Sequence, residues 1–206
     1  MSRWCGLALL AALALAAALR LPGLDVRPFH NDEGVNAVKV ADLWLHGRYA
    51  YDPDEYHGPA LIYACVPFLR LGNATDPGQW DDALLRYPTV VFGIGVLLLF
   101  PLLADGLGWR ATAWAALFAA VSPAMVFYSR YFIHEMLLVF FSVLALGSGW
   151  RYVRRPGGGW AVLTGMAVGW MFATKETFVL TLGAAAMAMG VAIARDRKST
   201  RLNSSH

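Results

Sequence analysis

Charge is scarce in this chain and cysteine nearly absent. Charged residues make up 15% of the 206 positions, where a water-soluble domain carries about 25%. That shortage argues against an ordinary soluble globular domain. The formal net charge is only +3, so no strongly basic surface points to nucleic acid. Cys5 and Cys65 are the only cysteines, one in an apolar run and the other in a short apolar stretch. A disulfide framework is not expected, and no CxxC or Cys/His spacing suggests structural zinc. What fills the sequence instead is apolar: 58% of residues, with a mean hydropathy of +0.48.

The apolar residues fall in uncharged blocks close to the ~20 residues needed to cross a ~30 Å hydrocarbon core as helix. They predict about six spans, near residues 4–21, 87–104, 111–129, 133–150, 158–174 and 177–194. The first block, with Arg3 ahead of it and small residues at Ala16–Ala18, also reads as a cleaved signal peptide. Its length and the spans that follow favour a retained helix.

The end of the chain is of another kind. Residues 196–206 (DRKSTRLNSSH) resemble a translated sequencing adaptor and are expected to be a non-native tail. Setting aside its three basic residues and one acid leaves 14 basic against 13 acidic residues. Residues 1–195 are therefore expected to be the N-terminal part of a longer membrane domain, inactive as a fragment.

Basic residues orient such spans. Arg3, Arg110, Arg151, Arg154, Arg155 and Arg195 fall in alternate connections, which places the N-terminus in the cytoplasm. The segment 22–86 is then an outer loop, and ten of the 13 acids lie between Arg20 and Arg86. His30, His46, His57 and His134 fall on the same outer side. Within the loop, residues 34–46 read as an amphipathic interfacial helix with Val38, Ala41 and Leu45 on its apolar stripe. Residues 59–70 are too short to span and read as a second interfacial or re-entrant helix. Asn73-Ala74-Thr75 fits a glycosylation sequon. Gly157–Gly159 lacks a following Gly-Lys-Ser/Thr and is a turn, not a phosphate loop.

Four clusters carry candidate chemistry. Phe29-His30-Asn31-Asp32-Glu33 stands before the amphipathic helix: Asn31 or Asp32 suits an N-cap, Glu33 suits the positive helix end, and a carboxylate held there can also act as a base. Tyr56-His57-Gly58-Pro59 opens the short apolar helix; the proline is ordinary helix-start punctuation. Ser129-Arg130-Tyr131-Phe132-Ile133-His134-Glu135 puts a cation, an imidazole and a carboxylate against the membrane, where ions are costly without a purpose. Snorkelling or capping of helix ends explains Arg130 and Glu135 equally well. Ala173-Thr174-Lys175-Glu176-Thr177 forms a charged turn between the last two spans. A divalent ion is a candidate cofactor, with His30, Asp32 and Glu135 as candidate ligands.

Taken together and in this order, HNDEGVNA, YDPDEYHGPALIY, SRYFIHE and ATKET resemble the GT-C superfamily of membrane glycosyltransferases. The likeness is greatest to the membrane-bound mannosyltransferases of the archaeal flippase-activity-associated group, relatives of protein O-mannosyltransferases and aminoarabinose transferases. The resemblance implies an all-α polytopic membrane protein in the cell membrane with its active site on the outer face. It implies transfer of a sugar, mannose-like, from a polyprenyl-phosphate donor to a glycan, lipid or protein acceptor with inversion. Asp32 would be the general base and Glu33 its support. Arg130 would bind the carrier phosphate, aided by His57, His134, Glu135 and Lys175. Several relatives have a second proline or a lysine in the His-x-Pro element, where this chain has His57-Gly58-Pro59-Ala60, which leaves phosphate recognition open. The same membrane-edge charges also suit a transporter or lipid-flippase accessory without transferase activity.

Overall fold

The computed structural model describes residues 2–52, 54 and 57–203, with side chains as far as residue 195. Pro53, Glu55 and Tyr56, which belong to the acid- and tyrosine-rich turn read from sequence, lie outside the described residues. So does the end of the adaptor-like tail. Among the described residues the fold is all helical, without a strand.

Polar residues start the first, second and fourth α-helices, whereas the third starts after Pro59. Ser2 accepts the Cys5 amide at the head of α1 (Arg3–Arg20). The first helix expected in the outer loop, α2 (Asn31–His46), is N-capped by His30 and not by Asn31 or Asp32. It starts three residues before the expected position 34, so Asp32 and Glu33 lie in its first turn. Gly47 ends it at φ 70°, a left-handed conformation that suits glycine. The second helix expected in the outer loop is α3 (Ala60–Leu71). Next come a short 3-10 turn (Pro77–Gln79), capped by Asp76, and α4 (Asp82–Leu99), capped by Asp81. Because Asp81 caps six residues ahead of the expected span at 87, α4 takes Arg86 inside it. A 3-10 turn at Phe100–Leu103 leads to α5 (Ala104–Leu107).

The expected third span, 111–129, is two helices, α6 (Trp109–Val121) and α7 (Pro123–Ser129), bent by 60°. Pro123 has no amide hydrogen to continue the ladder and pushes Ser122 out of the helical region; Ser122 sits at ψ 122°. The last helices are α8 (Glu135–Arg154), α9 (Gly158–Phe172) and α10 (Phe178–Asn203). At 15 residues, α9 extends only about 23 Å. Among the described residues four helices can cross a membrane by length and composition, or five if the bent pair counts as one span, against the six expected.

Residues 1–175 form one compact unit. In it α1 packs along α6, α4 along α8, and α8 along α9. Ala12, Ala16, Ala116 and Ala120, with Leu97, make a core of small side chains that lets helices approach closely, as bilayer packing favours. Gly93 allows α4 to meet α7, since a Cβ there would overlap Ser129 Oγ. Outward-facing side chains are apolar, among them Leu98, Trp114 and Phe118, all at least 60% exposed. Only lipid makes such a surface stable. The chain is a multi-pass membrane protein. Residues 176–206 form a second unit, the helix α10, apolar as far as Arg195.

The apolar stripe read on α2 points away from the protein. Val38 and Leu45 are 60% and 62% exposed, whereas Glu33, Val40 and Leu43 are buried. An apolar face left outside in this way suits a bilayer surface.

Candidate active site

The site is built around a buried acid. Glu33 in the first turn of α2 is fully buried and takes Arg86 of α4 through both oxygens: Nε to Oε1 at 2.8 Å and Nη2 to Oε2 at 2.9 Å. Three further donors reach it: the Phe132 amide at 2.9 Å, the His30 amide at 3.0 Å and Arg27 at 3.1 Å. Burial works to raise the carboxyl's pKa. The bond from Arg86, the two amides and the Arg86 charge more than offset that, and the group is held below its ordinary value. The other Arg86 nitrogen donates to the carbonyls of Leu24 and Arg27. One ion pair therefore ties together the segment after α1, the start of α2, α4 and the chain ahead of α8. A charge pair removed from water survives only when its remaining hydrogen-bonding capacity is met, as it is here.

Asp32 follows from this. Its neighbour is locked inward, and successive helical residues point about 100° apart, so the Asp32 carboxylate points out, 63% exposed. Tyr131 donates to its Oδ2 at 3.4 Å, and the same hydroxyl lies 2.7 Å from His30 Nδ1. Burial and the negative charges of Asp32 and Glu33 push the Tyr131 phenol's pKa up, so it stays a neutral donor.

The Phe132 backbone is held at both ends, by Glu33 on its amide and by Asn36 Nδ2 on its carbonyl at 2.9 Å. That fixes His134 and Glu135 just beyond it. His134 is buried, with Nε2 3.1 Å from the Gly58 carbonyl and its ring 5.2 Å from that of His57. The His57 strap is pinned to the turn after α9 by the Ala60 amide on the Ala173 carbonyl, at 2.9 Å. Gly58 has no room for a side chain, since a Cβ would overlap that same carbonyl. Lys175, on the same turn, meets Glu135 at 2.5 Å.

These pieces enclose a cavity of about 240 Å³ lined by Asp32, Val35, Asn36, Lys39, Tyr49, His57, Ile133, His134, Glu135 and Lys175. Asp32, His57, His134, Glu135 and Lys175, chosen from four separate motifs, thus meet at one place. Two further candidate residues lie outside the lining. Arg130 is not in the lining: its guanidinium donates to the carbonyls of Leu19, Arg20, Pro22 and Gly23, at 2.7–3.3 Å. Arg130 thus holds carbonyls at and just beyond the end of α1. Glu33 shapes the site from behind and does not face the cavity. The divalent-ion expectation finds no ligand set, because Glu135 holds Lys175 and, among the described residues, no three His, Cys, Asp or Glu side chains gather.

Sequence reasoning passed over Arg86, Tyr131, Lys39 and Tyr49. Arg86 looks like the edge of a span. The signal that singles it out is its place ahead of an unbroken apolar run, where an ion needs a partner. Tyr131 carries no such signal. Arg20 is a comparable case: fully buried, it donates to the Ala119 and Ala120 carbonyls that the α6–α7 break leaves free.

The family of dolichyl-phosphate-mannose-protein mannosyltransferases matches residues 57–206. The matched stretch takes in His57, Arg130, His134, Glu135 and Lys175 and begins after the Asp32–Glu33 pair. No curated protein and no solved structure gives a match.

Proposed function

The chain belongs to the dolichyl-phosphate-mannose-protein mannosyltransferase family, and from that premise we propose that it transfers a sugar from a polyprenyl-phosphate donor to a hydroxyl acceptor, with Asp32 as general base. The observation that carries the reading is the single cavity shared by an outward carboxylate, two histidines and two lysines. Asp32 takes the acceptor's hydroxyl proton. The acceptor oxygen bonds to the anomeric carbon, the bond from that carbon to the phosphate oxygen breaks, and polyprenyl phosphate leaves with the electron pair. Attack from the face opposite the phosphate inverts the centre. Phosphate leaves readily once its charge is met, so positioning and electrostatics supply most of the rate. Lys175, steadied by Glu135, and the imidazole of His57 are the groups we assign to the phosphate. Mannose as the sugar, an outer-face site and a cytoplasmic N-terminus complete the proposal.

The test uses protein expressed from its natural reading frame and reconstituted in liposomes with polyprenyl-phosphate mannose and a hydroxyl acceptor. Asp32→Asn should lower transfer by about 10²–10⁴-fold while donor still binds. Normal transfer by that variant would remove the base. Movement of donor lipid across the bilayer without any covalent transfer would mark a transporter instead.

A further inference from the structure

We propose that Tyr131 is a positioning residue for Asp32, and that His30 sets the direction of its hydrogen bond. The inference rests on the reading of Asp32 as the base. Tyr131 is 8% exposed, and its ring is held from two sides. The Arg27 guanidinium lies 4.9 Å from its centroid and the Phe127 ring 5.6 Å away. Arg27 in turn reaches Glu33, so the phenol's place is set by the same buried acid that sets α2.

The hydroxyl bridges two groups that do not themselves bond. His30 Nδ1 and Asp32 Oδ2 are 3.9 Å apart, while the phenol oxygen is 2.7 Å from the first and 3.4 Å from the second. A phenol has one hydrogen. If it points at the carboxylate, the short contact to His30 must be filled by Nδ1–H donating to the phenol oxygen. With His30 in its Nδ1–H tautomer, the Tyr131 hydrogen is left for Asp32. This is the only hydrogen bond the Asp32 carboxylate receives among the described residues. With Oδ2 held by Tyr131, Oδ1 is the oxygen left for the acceptor hydroxyl. An otherwise mobile, exposed side chain is thereby aimed, and aim governs the rate of a proton abstraction.

The experiment compares Tyr131→Phe, His30→Leu and His30→Asn in the reconstituted protein with polyprenyl-phosphate mannose and a hydroxyl acceptor. Tyr131→Phe keeps the ring packed against Arg27 and Phe127 and should lower kcat about 10-fold, with KM for the donor within about 2-fold. His30→Leu should lower kcat in the same way and add nothing in the Tyr131→Phe background. His30→Asn should restore it, because the amide NH₂ can donate where Nδ1–H did. Wild-type kcat for Tyr131→Phe beside an inactive Asp32→Asn overturns this inference alone. An active Asp32→Asn overturns the base reading and this inference with it. A loss in Tyr131→Phe that falls on donor KM makes Tyr131 a binding or packing group and overturns it too. Should Tyr131→Phe not fold, wild-type kcat for the exposed-site variant His30→Leu overturns it.

Discussion

The Glu33 carboxylate and the Arg86 guanidinium, 53 residues apart in the chain, meet through paired hydrogen bonds of 2.8 and 2.9 Å with neither side chain more than 1% exposed. The adjacent acid, Asp32, is 63% exposed and faces the cavity. Neighbouring positions in one helical turn thus carry a buried carboxylate and an exposed one.

Arg86→Met should destabilise the protein by about 3–5 kcal/mol, because it leaves Glu33 charged and unpaired inside. Thermal unfolding in detergent measures this. Glu33→Gln combined with Arg86→Met should recover much of the loss, since an uncharged pair has no ion to strand. Strictly additive losses would show that the two residues do not act together.

Acid should loosen the same centre. The Glu33 pKa lies below its ordinary value of 4.5, so the folded state binds fewer protons than the unfolded one in that range. Its contribution to stability is fully present above 4.5 and is lost as pH falls through the lowered folded value. Unfolding followed against pH should show an acid limb that is missing from Glu33→Gln.

Lys175 and Arg130 should separate cleanly. Lys175→Met removes a cavity cation and should weaken donor binding by about 10-fold or more, the scale of one charge-assisted hydrogen bond. Arg130→Gln should leave donor affinity unchanged and lower the unfolding temperature, because it uncaps α1. Equilibrium binding of a polyprenyl-phosphate analogue, paired with thermal unfolding, distinguishes the two. A large affinity loss in Arg130→Gln would return that residue to the phosphate.

Gly58→Ala tests the strap. The added methyl meets the Ala173 carbonyl, so either the His57 segment or the Lys175 turn must shift. Displacement of about 1 Å costs on the order of 10²-fold in rate. Transfer activity should fall by that order while the protein still inserts in the membrane.

The all-helical class, the membrane location and the four charged clusters were legible because hydropathy and composition are local quantities. The two interfacial helices were legible for the same reason, within three residues at each end. The break at Ser122-Pro123 was not used in placing the third span, although a proline and its predecessor carry that signal. The length of α9 was overestimated because flanking apolar residues in a turn look like helix in composition.

What the sequence by itself determined is that ionic side chains crowd the ends of apolar helices, since burying an ion in lipid is too costly to scatter it at random. Which arginine faces which carboxylate was decided only by tertiary structure. Arg130 and Arg86 are equally basic and equally near a span edge. Helix starts and crossings turn one toward the free carbonyls of α1 and the other toward Glu33. Partner choice across such distances depends on how helices pack, and no local pattern of residues encodes it.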